Sequence, residues 1–332
     1  MCEFCVVGKE KKNDEARLCS ESLHRKAGKH DSGDEIATAV DLADVEAELY
    51  GTTGPRDATR FVRQWLGEHP DEEVRFYACG GDGTLNEVVS GLLESGQTSR
   101  AEVGCYPCGS GNDFVKSLEV PTGFDIASIC MSPSVAIDAI RITTSSSSHP
   151  TLHYAINTLN FGFEAAVCRT MGDVRRWPLL GGGMAYVTGI VHSLMHARHH
   201  PCTVTVDGAL WHEGDLLLLS LANGQWAGSG FHCAPRADLA DGLIEVMAVT
   251  PLSIPRFARL IKYYKNGELL DREEMRGIVH YIRGQRVTIE AKSHAFIAAD
   301  GEVFYGNHFD IECLPQALRF ISTQNSEIKK QK

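Results

Sequence analysis

A glycine-rich stretch, ACGGDGTLNE at Ala78–Glu87, combines residue types that could bind a phosphate group. Glycine has no Cβ atom, so the backbone amides of Gly80, Gly81 and Gly83 can approach phosphate oxygens closely. A predicted helix follows, and the amides at its N-terminus carry partial positive charge that favours anions. Because Asp82 would repel a phosphate, it indicates a magnesium ion or an oriented water molecule beside the phosphates. A tight strand-to-helix turn without a ligand is the alternative interpretation.

A second glycine-rich turn, PCGSGNDF at 107–114, follows the next predicted strand. Both turns would open at the carboxyl edge of one parallel sheet, where open α/β sheets bind ligands. Ser110 offers a hydroxyl group, while Asn112 and Asp113 could either bind the ligand or cap a helix. Two such turns in one predicted domain, each with a carboxylate, favour phosphate binding over chain reversal alone.

Carboxylates also recur late in the chain. The segment ADGE at 299–302 contains the carboxylates of Asp300 and Glu302, and a carboxylate within hydrogen-bond reach of a hydroxyl group can accept its proton. The alternative is a simple hairpin, because the Asp-Gly pair that begins at Asp300 is a turn signal. Asp238 and Asp241 lie three residues apart on a predicted turn, where they could bind magnesium or remain solvated charges.

Strand-like and helix-like patterns alternate up to about residue 137 and must position the two glycine turns. Apolar residues at helical spacing predict helices at 36–49, at 55–66 and from Thr84 onward, where Thr84 and Glu87 match a capping box. Short apolar segments before each glycine turn predict strands. This alternation predicts an α/β domain over residues 1–137, with a parallel sheet and helices on its faces.

From about residue 138 most segments alternate apolar and polar residues as β-strands do. Among them we include residues 153–167, and we predict a hairpin at Asp207-Gly208. Helices are predicted at 184–198 and 253–265. A mostly β domain is therefore expected over 138–313, with a charged tail at 324–332.

Composition excludes several classes of protein. The 332 residues carry a net charge of −11, which argues against non-specific binding to nucleic acid. No apolar run approaches the ~20 residues of a membrane span, and the N-terminal sequence lacks a secretory pattern. The 11 cysteines, an odd number, indicate a cytoplasmic protein with free thiols. A redox or zinc role for the pair Cys105 and Cys108 is the alternative.

Taken together, GGDGTLNEVVSGL and PCGSGNDF resemble the diacylglycerol kinase catalytic domain family, which includes bacterial soluble lipid kinases and sphingosine and ceramide kinases. Later segments agree in the same order, at 157–165, 221–246 and 299–302. GGDGT alone would also fit NAD kinases, which share it. The resemblance implies an α/β domain of the NAD kinase and diacylglycerol kinase type and a β-sandwich-like second domain. It also implies that a segment at about 314–323 packs back on the first domain.

The resemblance further implies roles for individual residues. ATP would be held by two loops and a threonine, and Asp82 would help to position magnesium. The residues implied to bind the nucleotide are Thr52, Gly80, Gly81, Asp82, Gly83, Thr84, Leu85, Asn86, Glu87, Ser110, Asn112 and Asp113. Glu302 would be the catalytic base, supported by Asp300. A structural magnesium ion would be bound by Asp238, Asp241 and the carbonyl oxygen of Leu243.

Two departures from the family pattern concern the nucleotide site. Arg56 stands where the family element T-x-x-x-G-D-A has glycine, so the local turn could differ. The Asn-Pro of the family element N-P-x-S-G is missing from the N-terminal segment FCVVGKEKKND. Either another loop replaces that element or nucleotide affinity is reduced.

The sequence therefore predicts an ATP- and Mg2+-dependent kinase that phosphorylates a lipid hydroxyl, with diacylglycerol as the first candidate acceptor. An NAD kinase or another small-metabolite kinase is the second interpretation, and a non-catalytic nucleotide or lipid sensor is the third. We expect a cytoplasmic protein that meets its lipid acceptor transiently at a membrane surface and binds no nucleic acid. Whether it forms a homodimer is left open.

Overall fold

Two groups of elements, each with its own core, are present in the computed structural model. It describes residues 4–9, 46–118, 132–145, 150–174, 190, 193, 195 and 198–322. The first unit comprises the chain up to Ile137 together with the chain from Gln316 onward, and the second comprises Asp138–Pro315. Most of the helix predicted at 184–198, the part of the predicted helix 36–49 before Glu46, and the charged tail lie outside the described residues.

The first unit is built on a sheet with the strand order β2-β1-β3-β4-β14. Its strands are β1 (Phe4–Lys9), β2 (Glu46–Gly51), β3 (Val74–Gly80), β4 (Ala101–Pro107) and the end of β14 (Glu302–Ile321). Its helices are α1 (Asp57–Glu68), α2 (Asp82–Ser95) and the single turn α3 (Asp113–Lys116), with a 3-10 turn at Thr98–Arg100.

The predicted α/β class is confirmed. Strands β3, β4 and the end of β14 are parallel, whereas β1 pairs with both β2 and β3 in the antiparallel sense. The helix predicted at 36–49 is wrong for residues 46–49, which lie in β2. This segment pairs with β1 along its whole length, and such a partner cannot be seen in local apolar spacing.

Helices α1 and α2 pack closely against each other in the first unit. Both bury an apolar stripe, as their spacing predicts. A Cβ atom on Gly91 would lie 2.8 Å from the carbonyl oxygen of Thr59, so glycine allows this close approach. Helix α2 ends at Gly96, whose φ of 68° is the predicted left-handed stop.

The second unit is mostly β, as predicted. Strands β12-β11-β10-β7-β13-β14 follow one another in antiparallel pairs, and β5, β6, β8 and β9 extend the pairing. The strands are β5 (Ser134–Ser145), β6 (Thr151–Ala155), β7 (Thr158–Gly162), β8 (His200–Val206), β9 (Ala209–Leu216), β10 (Leu218–Ala222), β11 (Ile244–Val249), β12 (Val279–Gly284) and β13 (Arg286–Ala299). The first four residues of β5 belong to the first unit.

The helices of this unit that the structure describes along their length are α4 (Phe163–Val174) and α5 (Ile254–Lys265), with 3-10 turns at Leu269–Asp271 and Glu273–Met275. Helix α5 confirms the prediction at 253–265. The prediction of a strand is wrong for 163–167, which belong to α4. Gly162 ends β7 with a φ of 87°, a conformation that interrupts a strand and strongly favours glycine.

The predicted hairpin at Asp207-Gly208 is confirmed. The φ angles of these residues are 50° and 79°, as the common two-residue hairpin turn requires. Among the described residues no helix is both long and apolar enough to cross a membrane.

Candidate active site

The first glycine loop joins β3 to α2. Helix α2 begins at Asp82, two residues earlier than predicted, and its N-cap is Gly81. No side chain caps this end of the helix, so the predicted capping box of Thr84 and Glu87 is wrong. The uncapped first turn presents backbone N–H groups and the positive end of the helix dipole, which together suit a phosphate.

Thr84 makes glycine necessary in this loop. A Cβ atom on Gly80 would lie 2.3 Å from Thr84 Oγ1, so no other residue fits at that position without displacement. Thr84 is 2% exposed, and its Oγ1 has no hydrogen-bond partner among the described residues. A buried hydroxyl group without a hydrogen-bond partner destabilises the folded state, and a polar ligand bound in the loop could supply that partner.

The two glycine loops interlock. The N–H groups of Cys108 and Gly109 both donate to the carbonyl oxygen of Gly80, at 3.0 and 3.2 Å. A Cβ atom on Gly109 would lie 2.4 Å from the Cα atom of Gly81. The sequence predicted that the two turns share one edge of the sheet, and the structure brings them into direct contact.

Asp82 joins the loops through its side chain. Its Oδ1 accepts a hydrogen bond of 3.1 Å from the backbone N–H of Phe114, in the first turn of α3. Its Oδ2 has no hydrogen-bond partner among the described residues and remains able to coordinate a divalent cation. The carboxylate therefore fits the predicted magnesium role while also fixing the second loop.

Asn112 closes the second loop on itself. Its Oδ1 accepts from the N–H of Gly109 at 3.1 Å, and its Nδ2 donates to the carbonyl oxygen of Gly109 at 2.8 Å. The residue has a φ of 50°, which asparagine tolerates better than most residues. Asp113 is buried and pairs with Lys116 at 2.7 Å, whereas Ser110 is exposed to solvent.

The loop that carries Thr52 is organised by Asp57, which is 3% exposed. Asp57 Oδ2 accepts from the backbone N–H of Thr53 at 2.7 Å and from Thr53 Oγ1 at 2.6 Å. The hydroxyl of Tyr50 donates to Asp57 Oδ1 at 3.1 Å. These hydrogen bonds, with that from the Thr53 side chain foremost, hold the pKa of Asp57 below its usual value.

Arg56 and Glu87 complete this region. Arg56 has a φ of 61°, a left-handed conformation that glycine adopts more readily than arginine does. The Glu87 carboxylate accepts from the backbone N–H groups of Arg56 and Ala58, at 2.7 and 3.1 Å. Glu87 therefore caps α1 from the neighbouring helix, a role without a local signal because the partners lie 29 and 31 residues away.

In the second unit, the ADGE segment forms the hairpin between β13 and β14. Asp300 and Gly301 have φ angles of 47° and 90°, and Ala299 pairs with Glu302. The Asp300 carboxylate accepts hydrogen bonds from three backbone N–H groups: those of Ile156 at 2.9 Å, Asn157 at 3.1 Å and Thr158 at 3.0 Å. Glu302 is exposed, and its carboxylate makes no hydrogen bond to another described residue. A hairpin and a catalytic base can therefore share the same four residues.

The acidic turn at Asp238–Leu243 is closed by its own backbone. Asp238 Oδ1 accepts from the N–H of Ala240, and Asp241 Oδ1 accepts from the N–H of Leu243, at 3.1 and 3.0 Å. The other oxygen of Asp241 pairs with Arg283. A magnesium ion bound at Asp241 would have to displace or share the pairing of this carboxylate with Arg283. The site stays a prediction, and no group of three metal-binding side chains occurs among the described residues.

A small pocket opens in the second unit beside β10 and β11. Its lining combines apolar side chains with two charged ones. The lining residues are Ser220, Ala222, Cys233, Ala234, Pro235, Arg236, Glu245, Met247, Leu270 and Tyr281.

Two family models match the chain in its two units. The diacylglycerol kinase catalytic domain matches residues 23–142, and the YegS C-terminal NAD kinase beta sandwich-like domain matches residues 157–322. A probable lipid kinase YegS from Escherichia coli O17:K52:H18 is 30% identical over 247 residues, 73% of this chain and 76% of that protein. The chain belongs to the YegS-like diacylglycerol kinase family. Membership makes it a kinase that transfers phosphate to an alcohol group.

Other family members and a solved structure agree. A probable lipid kinase YegS-like from Alcanivorax borkumensis is 29% identical over 267 residues, 79% of this chain and 82% of that protein. The crystal structure of a diacylglycerol kinase from Bacillus anthracis str. Sterne superposes with a TM-score of 0.61 at 18% identity, covering 91% of this chain and 95% of that one. That likeness supports the fold of a YegS-like kinase.

Proposed function

We propose that the protein is an ATP- and Mg2+-dependent lipid kinase that transfers the γ-phosphate of ATP to the hydroxyl group of diacylglycerol, giving phosphatidic acid and ADP. The observation that carries the proposal is the interlocked pair of glycine loops, joined through Gly80 and Asp82, in a chain of the YegS-like family. Several relatives are named probable lipid kinases.

The first unit would bind and orient the nucleotide. The backbone N–H groups at the start of α2 would donate to the phosphates, while Asp82 would hold the divalent cation through Oδ2. Bound magnesium would offset the negative charge that the phosphates carry during transfer. Thr52, Ser110 and Asn112 are the further nucleotide contacts that the family pattern suggests.

Glu302 would accept the proton of the acceptor hydroxyl group. The hydroxyl oxygen would form a bond to the γ-phosphorus of ATP while the bond between that phosphorus and the ADP oxygen breaks. The exposure of Glu302 agrees with a carboxylate that must reach a substrate. The Asp300 carboxylate, held by three backbone amides, would fix the turn from which Glu302 projects. We further propose that the acceptor is met at a membrane surface.

The test is phosphorylation of diacylglycerol in mixed micelles by the purified protein with labelled ATP and magnesium, beside NAD and a lipid extract. Glu302→Gln should lower kcat by roughly 10²–10⁴, the usual range for a lost general base, with unchanged affinity for ATP. Glu290→Gln is the matched control, because Glu290 is an exposed carboxylate on β13 of the same sheet.

Three results would contradict the proposal at different points. Full activity of Glu302→Gln would exclude Glu302 as the base. Phosphorylation of NAD without phosphorylation of any lipid would favour the small-metabolite kinase that GGDGT alone allows. Binding of ATP without turnover on any acceptor would favour a sensor, the alternative suggested by the missing Asn-Pro element.

A further inference from the structure

Asn223 lies directly after β10 and is 1% exposed. Its backbone N–H donates to the carbonyl oxygen of Asn157 at 2.9 Å. Its side-chain Nδ2 donates to the carbonyl oxygens of Ile156 and Asp138, at 2.8 and 3.2 Å. One residue therefore ties together the end of β10, the start of the unit in β5, and the link between β6 and β7.

The link between β6 and β7 is held from two directions. The carbonyl oxygens of Ile156 and Asn157 accept from Asn223, while the N–H groups of the same two residues donate to the Asp300 carboxylate. The N–H of Asp300 donates in turn to the carbonyl oxygen of Thr158 at 2.9 Å. A shift of this link would therefore move Asp300, which lies two residues before Glu302.

The same network reaches the acidic turn. Asp138 is fully buried, and its Oδ2 accepts from the N–H of Gly242 at 2.7 Å. Asn157 is also tied through its side chain, whose Nδ2 donates to the carbonyl oxygen of Trp226 at 2.9 Å. Asn223 therefore donates hydrogen bonds both to Asp138, which contacts the acidic turn, and to Ile156, which contacts the ADGE hairpin.

Asn157 and Asn223 each bury one polar atom in a way that destabilises the folded state. The Oδ1 atoms of Asn157 and Asn223 are buried and have no hydrogen-bond partner among the described residues. Such groups are rare in native proteins and destabilise them, so their presence calls for a compensating role. Both side-chain donors of Asn223 are used, and Asn157 Nδ2 donates to one carbonyl oxygen, which points to the positions of the bonded carbonyl groups as that role.

We propose that Asn223 is a positioning residue for phosphoryl transfer: it fixes the segment Ile156–Thr158, which holds Asp300 and thereby places Glu302. The proposal rests on the proposed role of Glu302 as the base. It predicts an effect on the chemical step and none on ATP binding, because the glycine loops belong to the first unit. Misplacement of a catalytic group by ~1 Å can cost ~10²-fold in rate.

A double-mutant cycle tests the proposal with the full chain. In the wild-type background, Asn223→Ala should lower kcat per folded molecule by about tenfold to a hundredfold, with the KM for ATP unchanged. In the Glu302→Gln background, the same change should have little further effect, because the residue through which Asn223 acts is already lost. A merely structural role would lower stability alike in both backgrounds and leave kcat per folded molecule intact.

Two further variants keep the test decisive. Val287→Ala truncates a fully buried side chain of β13 outside the network, so it matches a loss of stability without touching Asn223. Asn223→Ser keeps a donor hydroxyl and gives a milder version of the same comparison if Asn223→Ala does not fold. The folded fraction is measured by circular dichroism and thermal unfolding before each assay.

The outcomes separate this proposal from the proposed function. If the wild type is active and Glu302→Gln is not, an unchanged kcat in Asn223→Ala overturns the positioning role alone. An equal loss in both backgrounds also overturns it. If the wild type phosphorylates no alcohol, or Glu302→Gln is fully active, the proposed function itself fails and the positioning role fails with it.

Discussion

Asp57, Glu87 and Asp300 each use a carboxylate to accept backbone N–H groups. A charged acceptor forms stronger hydrogen bonds to amides than a neutral one does, so each residue stabilises a loop or a helix end. The same residue types bind cations and move protons. From sequence, a structural carboxylate and a catalytic one therefore look alike, and only their hydrogen-bond partners distinguish Glu87 and Asp300 from Glu302, the proposed base.

Glu164 is a carboxyl group for which the proposed reaction has no role. The hydroxyl of Tyr264 donates to Glu164 Oε1 at 2.5 Å. In the orientation that satisfies both groups of its amide, Asn160 donates to Glu164 Oε2 at 2.6 Å. Burial raises the pKa of Glu164 from its ordinary value to about 7, since desolvation penalises the charged carboxylate more than the Tyr264 bond favours it.

This pKa predicts a pH-dependent stability. Between pH 4.5 and about 7 the folded chain binds a proton at Glu164 that the unfolded chain has lost. The resulting stabilisation is fully present below pH 4.5 and is lost as the pH rises towards about 7. The loss is at most about 1.4 kcal/mol per pH unit and roughly 3 kcal/mol in all.

Glu164→Gln should remove this dependence, because glutamine resembles the protonated acid at every pH. Urea unfolding of both proteins between pH 4 and pH 8 measures it, and the difference between their free energies of unfolding isolates Glu164 from the other titrating groups. We expect Glu164→Gln to gain stability relative to the wild type as the pH rises. A difference that stays constant across this range would contradict the raised pKa.

At the scale of elements, α1 and α2 depend on each other through Glu87. Helix α1 has no side-chain cap of its own from Arg56, and the Glu87 carboxylate of α2 satisfies two of its first N–H groups. The Thr59 hydroxyl adds a bond of 2.9 Å to the carbonyl oxygen of Glu87. The end of one helix is thereby fixed by the middle of the next.

Glu87→Ala should lower the free energy of unfolding by about 1–2 kcal/mol, the usual cost of losing a helix cap. Glu87→Gln keeps one acceptor oxygen and should cost less. If Glu87 serves only as the cap of α1, neither variant changes the Kd of an ATP analogue by more than a few fold. Chemical denaturation and calorimetry measure the two quantities. A large loss of affinity at unchanged stability would instead support the nucleotide contact that the family pattern implies for Glu87.

Elements with a strong local pattern were predictable, whereas elements made by distant partners were not. Helices α2 and α5 follow apolar stripes, and Gly96 ends α2 as its type suggests. The start of α2 was misplaced because Thr84 and Glu87 imitate a capping box, although Glu87 caps another helix. Strand β2 exists because β1 lies beside it, and neither fact is visible within its own six residues.

The sequence predicted that the two glycine loops lie at one edge of the sheet, but not all the contacts that assemble the candidate site. The glycine loops carry their chemistry in short segments, so Gly80, Asp82 and Asn112 were identified from sequence. Asn223 was not singled out from sequence, because its proposed positioning role depends on carbonyl groups of Ile156 and Asp138, which any residue type could supply. Buried polar residues at the end of a strand were the available signal.

At the scale of the whole molecule, β14 contributes to both units. Its first part pairs with β13 in the second unit, and its last residues pair with β4 in the first. Phe320 is 2% exposed and packs edge-on against Phe114, with 5.2 Å between ring centroids. Phe114 is the residue whose N–H binds Asp82, so the end of the chain supports the second glycine loop.

Phe320→Ala should therefore reduce both the stability of the first unit and its affinity for nucleotide. Truncation of a buried phenylalanine costs about 3–5 kcal/mol, and loosening of Phe114 should raise the Kd of an ATP analogue about tenfold or more. Phe309→Ala is the matched control, because Phe309 is fully buried on the same strand but belongs to the second unit.

The two variants should lose similar stability in chemical denaturation, while only Phe320→Ala weakens nucleotide binding in calorimetry. Binding is measured at a temperature where both variants are folded, so the difference reports on the loop and not on the folded fraction. Equal affinities in the two variants would mean that Phe114 and Asp82 hold the second loop without Phe320. A loss of affinity in Phe309→Ala as well would mean that the nucleotide loops respond to the core of the second unit.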